Sequence, residues 1–326
     1  MVRVVNLEDG GVFCFVMGSF KYTVALLIIV YLPLASSGQE LNGFDLSKAS
    51  IPVSQILSGG PPKDGIPAID VPKFSPANKV HFLKEDDKVF GISFGNDRRA
   101  YPLRILVFHE IVNDVAGGQA VAITYCPLCG TAMAFDRKFG EETLSFGVSG
   151  LLYQSDVLMY DRQTGSLWSQ LAMHSVSGKK VGAKLRWLPG ELMTWKAWRE
   201  KYPDSSVLTT ETGYRRDYRN TPYQGYEQRP DTMFPVPEKR TELGNKEWVA
   251  GVIVNSQAVA FDLKKLADVP DHKITLKVGD TLLGATYNPV TREVRVTDQS
   301  GKALPVVQVF WFAWQGFYPR TILWNG

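Results

Sequence analysis

The chain has 326 residues, with 36 basic and 33 acidic side chains and a net charge of +3. A near-neutral balance without a long basic run excludes a nucleic-acid binder held by phosphate contacts. Three cysteines and four histidines exclude a disulfide-dense scaffold and any site needing many soft ligands, while 29 glycines and 19 prolines spread along the chain point to a turn-rich, β-rich protein.

The first element is apolar. Thr23–Leu34 carries no charge, follows Lys21 and ends at Ala35, Ser36, Ser37 and Gly38. It is shorter than the roughly 20 residues of a spanning helix. Basic flank, apolar core and small-residue end predict a secretory signal over residues 1–38, with Met17 as an alternative start. The protein is then exported, periplasmic or extracellular. If the segment is not cleaved, it is instead a membrane anchor, the chain's one contact with the membrane. Cys14 leaves with the peptide, so the mature chain carries Cys126 and Cys129 into an oxidising compartment.

Residues 39–78 are rich in Pro and Gly and read as an extended lead-in that wraps a core. Residues 79–213 read as a first β-rich half. VFGISF, AVAIT, TLSFGV and VLMYD are strand-like runs bounded by turn residues. Leu192, Trp195, Trp198 and Tyr202 share one helical face, and Pro203 stops the helix. LRILVFHEIVND fits helix or strand equally well. Residues 214–240 alternate Tyr, Arg and Pro, as a long loop or linker would. They form either a surface that grips an anionic or sugar ligand or a loop pinned by its own tyrosines.

Residues 241–326 read as a second, degenerate β-rich half. VFGISFGNDRRAYPLRIL at Val89 matches VAGVIVNSQAVAFDLKKL at Val249, 160 residues on, with Gly91 on Gly251 and Ala100 on Ala260. TYCPLC at Thr124 matches TYNPVT at Thr286, and Asp136 matches Asp298, both at an offset of 162. Ordered blocks at nearly constant offset predict an internal repeat. Asn288 and Thr291 then stand where the first half has Cys126 and Cys129, so the reactive half is the first.

CPLCG, Cys126 to Gly130, is the most specific chemical motif. Two thiolates two residues apart on a tight turn can chelate one metal ion. The same spacing at a helix N-terminus would serve thiol–disulfide exchange. GTAMAFDR after the motif alternates as a strand does, which leans towards metal; a turn staple or inert thiols remain the bland alternative. Zinc needs two further ligands, while copper(I) can be held by two or three soft ones. His109 lies only 17 residues before Cys126 and has Glu110 and Asp114 beside it as orienting acids. His174 is a weaker candidate. His81 and His272 read as surface residues.

A second cluster starts at Phe146. Ser149, Tyr153, Asp156, Asp161, Arg162 and Trp168 could line a ligand pocket, or they could be turn chemistry around a buried Asp–Arg pair.

HEIVND, TYCPLCGTAMAFDR, FGVSGLLYQSDVLMYDRQTGSLWSQ, TW..W...YPDSSVL and FWFAWQGFYPRT together resemble the bacterial and archaeal family called domain of unknown function 3179. The resemblance covers the chain from DGIPAIDVPKF to its end. It implies an exported or membrane-attached protein with a Cys-Pro-x-Cys motif and an upstream His-Glu-x-x-Asn-Asp motif. His109, Asn113, Asp114, Cys126 and Cys129 are the residues it carries over, and His174 falls outside its pattern. The expectation is a mainly β, exported protein with two related halves and few short helices. It binds copper or zinc through Cys126, Cys129 and His109, with Glu110, Asn113 and Asp114 behind the histidine. An extracytoplasmic thiol–disulfide oxidoreductase using Cys126 and Cys129 is the alternative. A non-catalytic ligand-binding or interaction protein, with a small-molecule or protein partner, is the third.

Overall fold

Short runs of β-branched and aromatic residues separated by Gly, Asn and Asp turns can bury themselves only by pairing edge to edge and stacking face to face. The chain does this throughout. The computed structural model describes residues 39–236 and 240–326, with the backbone alone of two short strands, Val4–Asn6 and Val12–Cys14, which pair with each other. The export signal assigned to residues 1–38 otherwise lies outside the described residues. Among those described, strands dominate, four short α-helices occur, and no helix is long and apolar enough to cross a membrane.

A first hairpin, Lys88–Phe94 and Asp97–Pro102, turns at Gly95-Asn96. Glu191–Thr194 pairs with its first strand, Ser206–Leu208 lies parallel to its second, and Phe74–Pro76 adds an edge. The next sheet is a meander, Ile111–Ala116, Gln119–Cys126 and Thr131–Asp136, edged by Trp187–Leu188. Its central strand is buried without a break from Val121 to Cys126, as a strand covered on both faces must be. A third sheet holds Phe146–Tyr153, Asp156–Asp161, Leu167–Ser169 and His174–Ser177. The lead-in is part of these sheets: Ile56–Ser58 edges the third one, and the Ile69 backbone bonds Ile111 and Asn113.

The ambiguous LRILVFHEIVND is both things in turn. Leu103–Leu106 is one helical turn, and Ile111–Ala116 is a strand. The tryptophan helix is shorter than its periodicity suggests. Leu192 belongs to the strand before it, and the helix runs Trp195–Lys201, started by Thr194, whose hydroxyl accepts the Ala197 N–H at 3.3 Å.

From Trp248 onwards the strands pair in a similar order. The hairpin Trp248–Val254 and Gln257–Asp262 pairs Gly251 with Ala260, as the first pairs Gly91 with Ala100. The meander Lys273–Val278, Thr281–Tyr287 and Val294–Thr297 pairs Thr286 with Lys273 and Arg295, as the first pairs Thr124 with Ile111 and Met133. Val307–Phe310 then takes the place of Glu191–Thr194, and Ile322–Trp324 runs parallel to its hairpin as Ser206–Leu208 does. Between these last strands lies the helix Trp311–Phe317, matching Trp195–Lys201 at an offset of 116. The indole of Trp198 donates to Ser205 and that of Trp314 to Thr321, both at 2.9 Å. The third sheet lies between the first meander and Trp195–Lys201, and no such sheet separates Val294–Thr297 from Trp311–Phe317.

Candidate metal centre

Cys126 ends the central strand of the meander, residues 127–130 turn, and Thr131 returns opposite Cys126. Both cysteines are free and buried within a core cluster that includes Trp168, Phe310 and Trp311. The Cys129 carbonyl accepts the Phe310 N–H at 3.0 Å, so a strand of the second half clamps the turn.

The third sheet brings up a third donor. Its hairpin turns at Gln154-Ser155, both at positive φ (53° and 63°), the pattern of a two-residue type I′ turn. The tip is pressed onto the cysteine turn, where the Ser155 carbonyl accepts the Cys129 thiol at 3.2 Å. Asp156 follows. Cys126, Cys129 and Asp156 place two sulfurs and a carboxylate oxygen within 4.8 Å of one another, and all three are buried. One Asp156 oxygen accepts the Leu171 N–H at 3.0 Å, and the other has no hydrogen-bond partner. Tyr318, on the helix-terminal turn of the second half, closes this side by donating to the Leu171 carbonyl at 2.6 Å.

Electrostatics at the cluster are one-sided. Burial pushes both thiols above their ordinary range, Cys129 the further. Burial raises Asp156 to about 7, against the opposing Leu171 N–H and the two thiols. Glu110 is raised to about 8, by burial first and the Asp156 charge second. Neither carboxyl has a basic side chain paired with it among the described residues. Four acids in a dry core with no counter-charge are costly to ionise. A divalent cation would supply that charge and take up the orphaned oxygen. Two sulfurs with a carboxylate oxygen suit zinc better than copper(I), which favours an all-soft set.

The structure does not bring His109 to the sulfurs. Its Nδ1 lies 2.8 Å from the Pro67 carbonyl, which can only accept, so Nδ1 carries the proton. Nε2 therefore accepts the Tyr218 hydroxyl at 2.7 Å, and Tyr218 contacts Thr212 at 2.6 Å. Burial lowers the ring's pKa, so it stays neutral. His109 is a pin that ties the lead-in to the Tyr-rich loop. Asp114 does not orient it either: that carboxylate is held by Arg99 at 2.7 and 2.8 Å and by Tyr101 at 2.6 Å. Asn113 bridges to the third sheet through both the N–H and the carbonyl of Phe146. Of the three residues placed behind the histidine, Glu110 alone lies near the cysteines.

The proposed ligand pocket does not assemble. Asp156 joins the cysteines, while the others serve the fold. Ser149 bonds the Leu158 carbonyl, and Tyr153 packs edge-on against Phe317. Asp161 caps its own turn through Thr164 and accepts the Trp168 indole at 2.8 Å. Arg162 pairs with Asp70, not with Asp161. His174 contacts the Ala172 carbonyl at 2.9 Å. Asp156 was reachable from sequence as a turn-side acid, but nothing in the sequence linked it to the cysteines.

The described residues of the Tyr, Arg and Pro stretch carry no strand or helix and lie against this centre. Ser155 donates to the Phe234 carbonyl at 3.1 Å, and Tyr223 is close enough to feel the charges of Glu110 and Cys126. Lys246 sits 3.3 Å over the Tyr226 ring and donates to the Tyr226 carbonyl at 2.7 Å.

The chain belongs to the family described as protein of unknown function, DUF3179, whose model matches residues 63–321. Neither the curated proteins nor the solved structures contain a match to it.

Proposed function

We propose that this is an exported metal-binding protein that holds a zinc ion through Cys126, Cys129 and Asp156. The observation that carries the reading is the convergence of two thiols and an unpartnered carboxylate oxygen in the core, with no basic group beside them. Such a group is expensive when empty and stabilising when a cation fills it. Export rests on the apolar segment and its small-residue end. A metal would also protect two neighbouring thiols in an oxidising compartment.

The same features oppose thiol–disulfide exchange. An attacking thiol needs a lowered pKa, from a helix N-terminus or a nearby cation. Here the motif joins two strands, and burial and two acids raise the thiols. Elemental analysis of reduced protein from its native compartment tests the reading. One zinc per chain is expected. Copper would change the metal, and a metal-free protein with a Cys126–Cys129 disulfide would favour exchange.

We also infer that the two halves are copies of one hairpin–meander–helix unit. Matching strand order and register support this. So does the glycine under each tryptophan: a Cβ at Gly91 would lie 1.8 Å from the Trp198 ring, and one at Gly251 2.4 Å from the Trp314 ring. Gly91→Ala and Gly251→Ala should each destabilise by about 3 kcal/mol in urea unfolding. A near-neutral result at one position alone would tell against equivalent packing.

A further inference from the structure

Beside the cysteine turn lies a cleft of about 340 Å³, with Tyr125 and Pro127 on one wall and Tyr223, Tyr226 and Glu227 on the other. Tyr125 and Pro127 flank Cys126 in the chain, so the cleft lies beside the backbone that carries the first sulfur. Glu227 stands at the mouth, half-exposed and paired with Lys88 at 3.0 Å. A divalent ion with six waters needs about 180 Å³ at liquid density, which this space accommodates.

Glu110 adjoins both: its carbonyl accepts the N–H of Tyr125, which lines the cleft, and its side chain is close enough for its charge to act on Cys126. Its backbone is in the left-handed region, at φ 57°, which glutamate rarely adopts. The surroundings hold it there: its N–H donates to the Leu106 carbonyl and its carbonyl accepts the Tyr125 N–H, both at 2.7 Å. Glu110 is 7% exposed, and its carboxyl has no hydrogen-bond partner among the described residues. It stands outside the tight group of three donors, yet its charge acts on Cys126, and Asp156 acts on it. Tyr223, a wall of the cleft, feels both Glu110 and Cys126. Three carboxylates of decreasing exposure thus stand at the cleft, beside it and in the cluster: Glu227, Glu110 and Asp156. A strained backbone that fixes an unpaired acid beside such a cleft is characteristic of a working position.

We propose that this cleft is the route by which the metal reaches and leaves its site, and that Glu110 is the exchange ligand on that route; the proposal rests on the zinc reading above. The hydrated ion gives up water for a Glu110 oxygen, then for the Asp156 oxygen and the two sulfurs. The two thiol protons, the proton of Asp156 where that acid is neutral, and the displaced waters leave by the cleft, Glu110 giving up its own proton while it holds the ion and regaining it afterwards, and no electron moves.

The test is stopped-flow uptake of zinc chloride by the reduced, metal-free full chain, with release followed by a colorimetric chelator. Glu110→Gln keeps the shape and removes the charge. It should slow uptake and release alike, by about tenfold, and leave the equilibrium affinity within about threefold. Glu227→Gln keeps the shape at an exposed position, and an unfolding curve shows whether losing the charge beside Lys88 alters the fold. The variant should slow uptake a few-fold, with the difference fading at high salt. Wild-type rates in both variants would overturn the route. Lost affinity with unchanged uptake in Glu110→Gln would make it an ordinary ligand and overturn its exchange role. A wild type that binds no zinc sinks the underlying reading instead, whereas normal stoichiometry with unaltered rates sinks the route alone.

Discussion

Cys126→Ser and Cys129→Ser should each leave the purified protein without bound zinc. A buried zinc site of this kind contributes about 10–16 kcal/mol, shared among three or four donors. Losing one thiolate then removes at least about 3 kcal/mol, a hundredfold or more in affinity. The two sulfurs are the softest donors present, and apart from Asp156 no His, Cys, Asp or Glu joins them within the same spacing among the described residues. Asp156→Asn should weaken binding less, because an amide oxygen can still coordinate without bringing charge. His109→Ala should leave metal content unchanged. It should instead lower stability by about 1–2 kcal/mol, since it leaves the partly buried Pro67 carbonyl without its partner and the Tyr218 hydroxyl with Thr212 alone. Metal stoichiometry by mass spectrometry, with unfolding curves for each variant, separates these outcomes. Full zinc in Cys126→Ser ends the metal reading. Lost zinc in His109→Ala with unchanged stability would return the histidine to the ligand set.

What the sequence made legible is what depends on neighbours in the chain. The two-cysteine turn, the strand after it and the hairpins at Gly95-Asn96 and Asn255-Ser256 are all local, and all can be read from residue type and spacing. The site's third donor is not local. Asp156 reaches the sulfurs because a hairpin tip 30 residues downstream is folded onto the cysteine turn, and period-2 alternation carries no information about that docking. His109 fails for the complementary reason. Proximity in sequence places it on the neighbouring element, but the turn after Leu106 sends its ring towards Pro67 and Tyr218. The Trp195 and Trp311 blocks were visible as words, but their similar placement beside a hairpin was not, because a whole sheet intervenes in the first stretch and not in the second. Asp161 and Arg162 are neighbours in sequence whose side chains part to different partners.

Stability should depend on pH with opposite signs in the metal-free and zinc-loaded protein. Folding raises Glu110 from its ordinary 4.5 to about 8 and Asp156 from 3.8 to about 7. For a group raised on folding, the stabilising difference is fully present below the unfolded value and is lost as pH rises through the folded one. Between about pH 5 and pH 7 the metal-free fold therefore holds up to two protons that the unfolded chain has released. Each costs about 1.4 kcal/mol per pH unit, so stability should fall by a few kcal/mol across that range and level off near pH 8. The raised thiols extend the loss above pH 8.5. Zinc reverses the balance. Its ligands are bound as thiolates and carboxylate, so the loaded fold holds fewer protons than the unfolded chain up to the ordinary thiol pKa. Stability should then rise from pH 5 to pH 8. Thermal unfolding at pH 5, 6.5 and 8, with chelator or with one equivalent of zinc, reads both slopes. Glu110→Gln and Asp156→Asn should each flatten the chelated slope by removing one proton from the count. Parallel slopes with and without zinc would mean that the metal does not sit on these acids, whatever the metal content of the preparation.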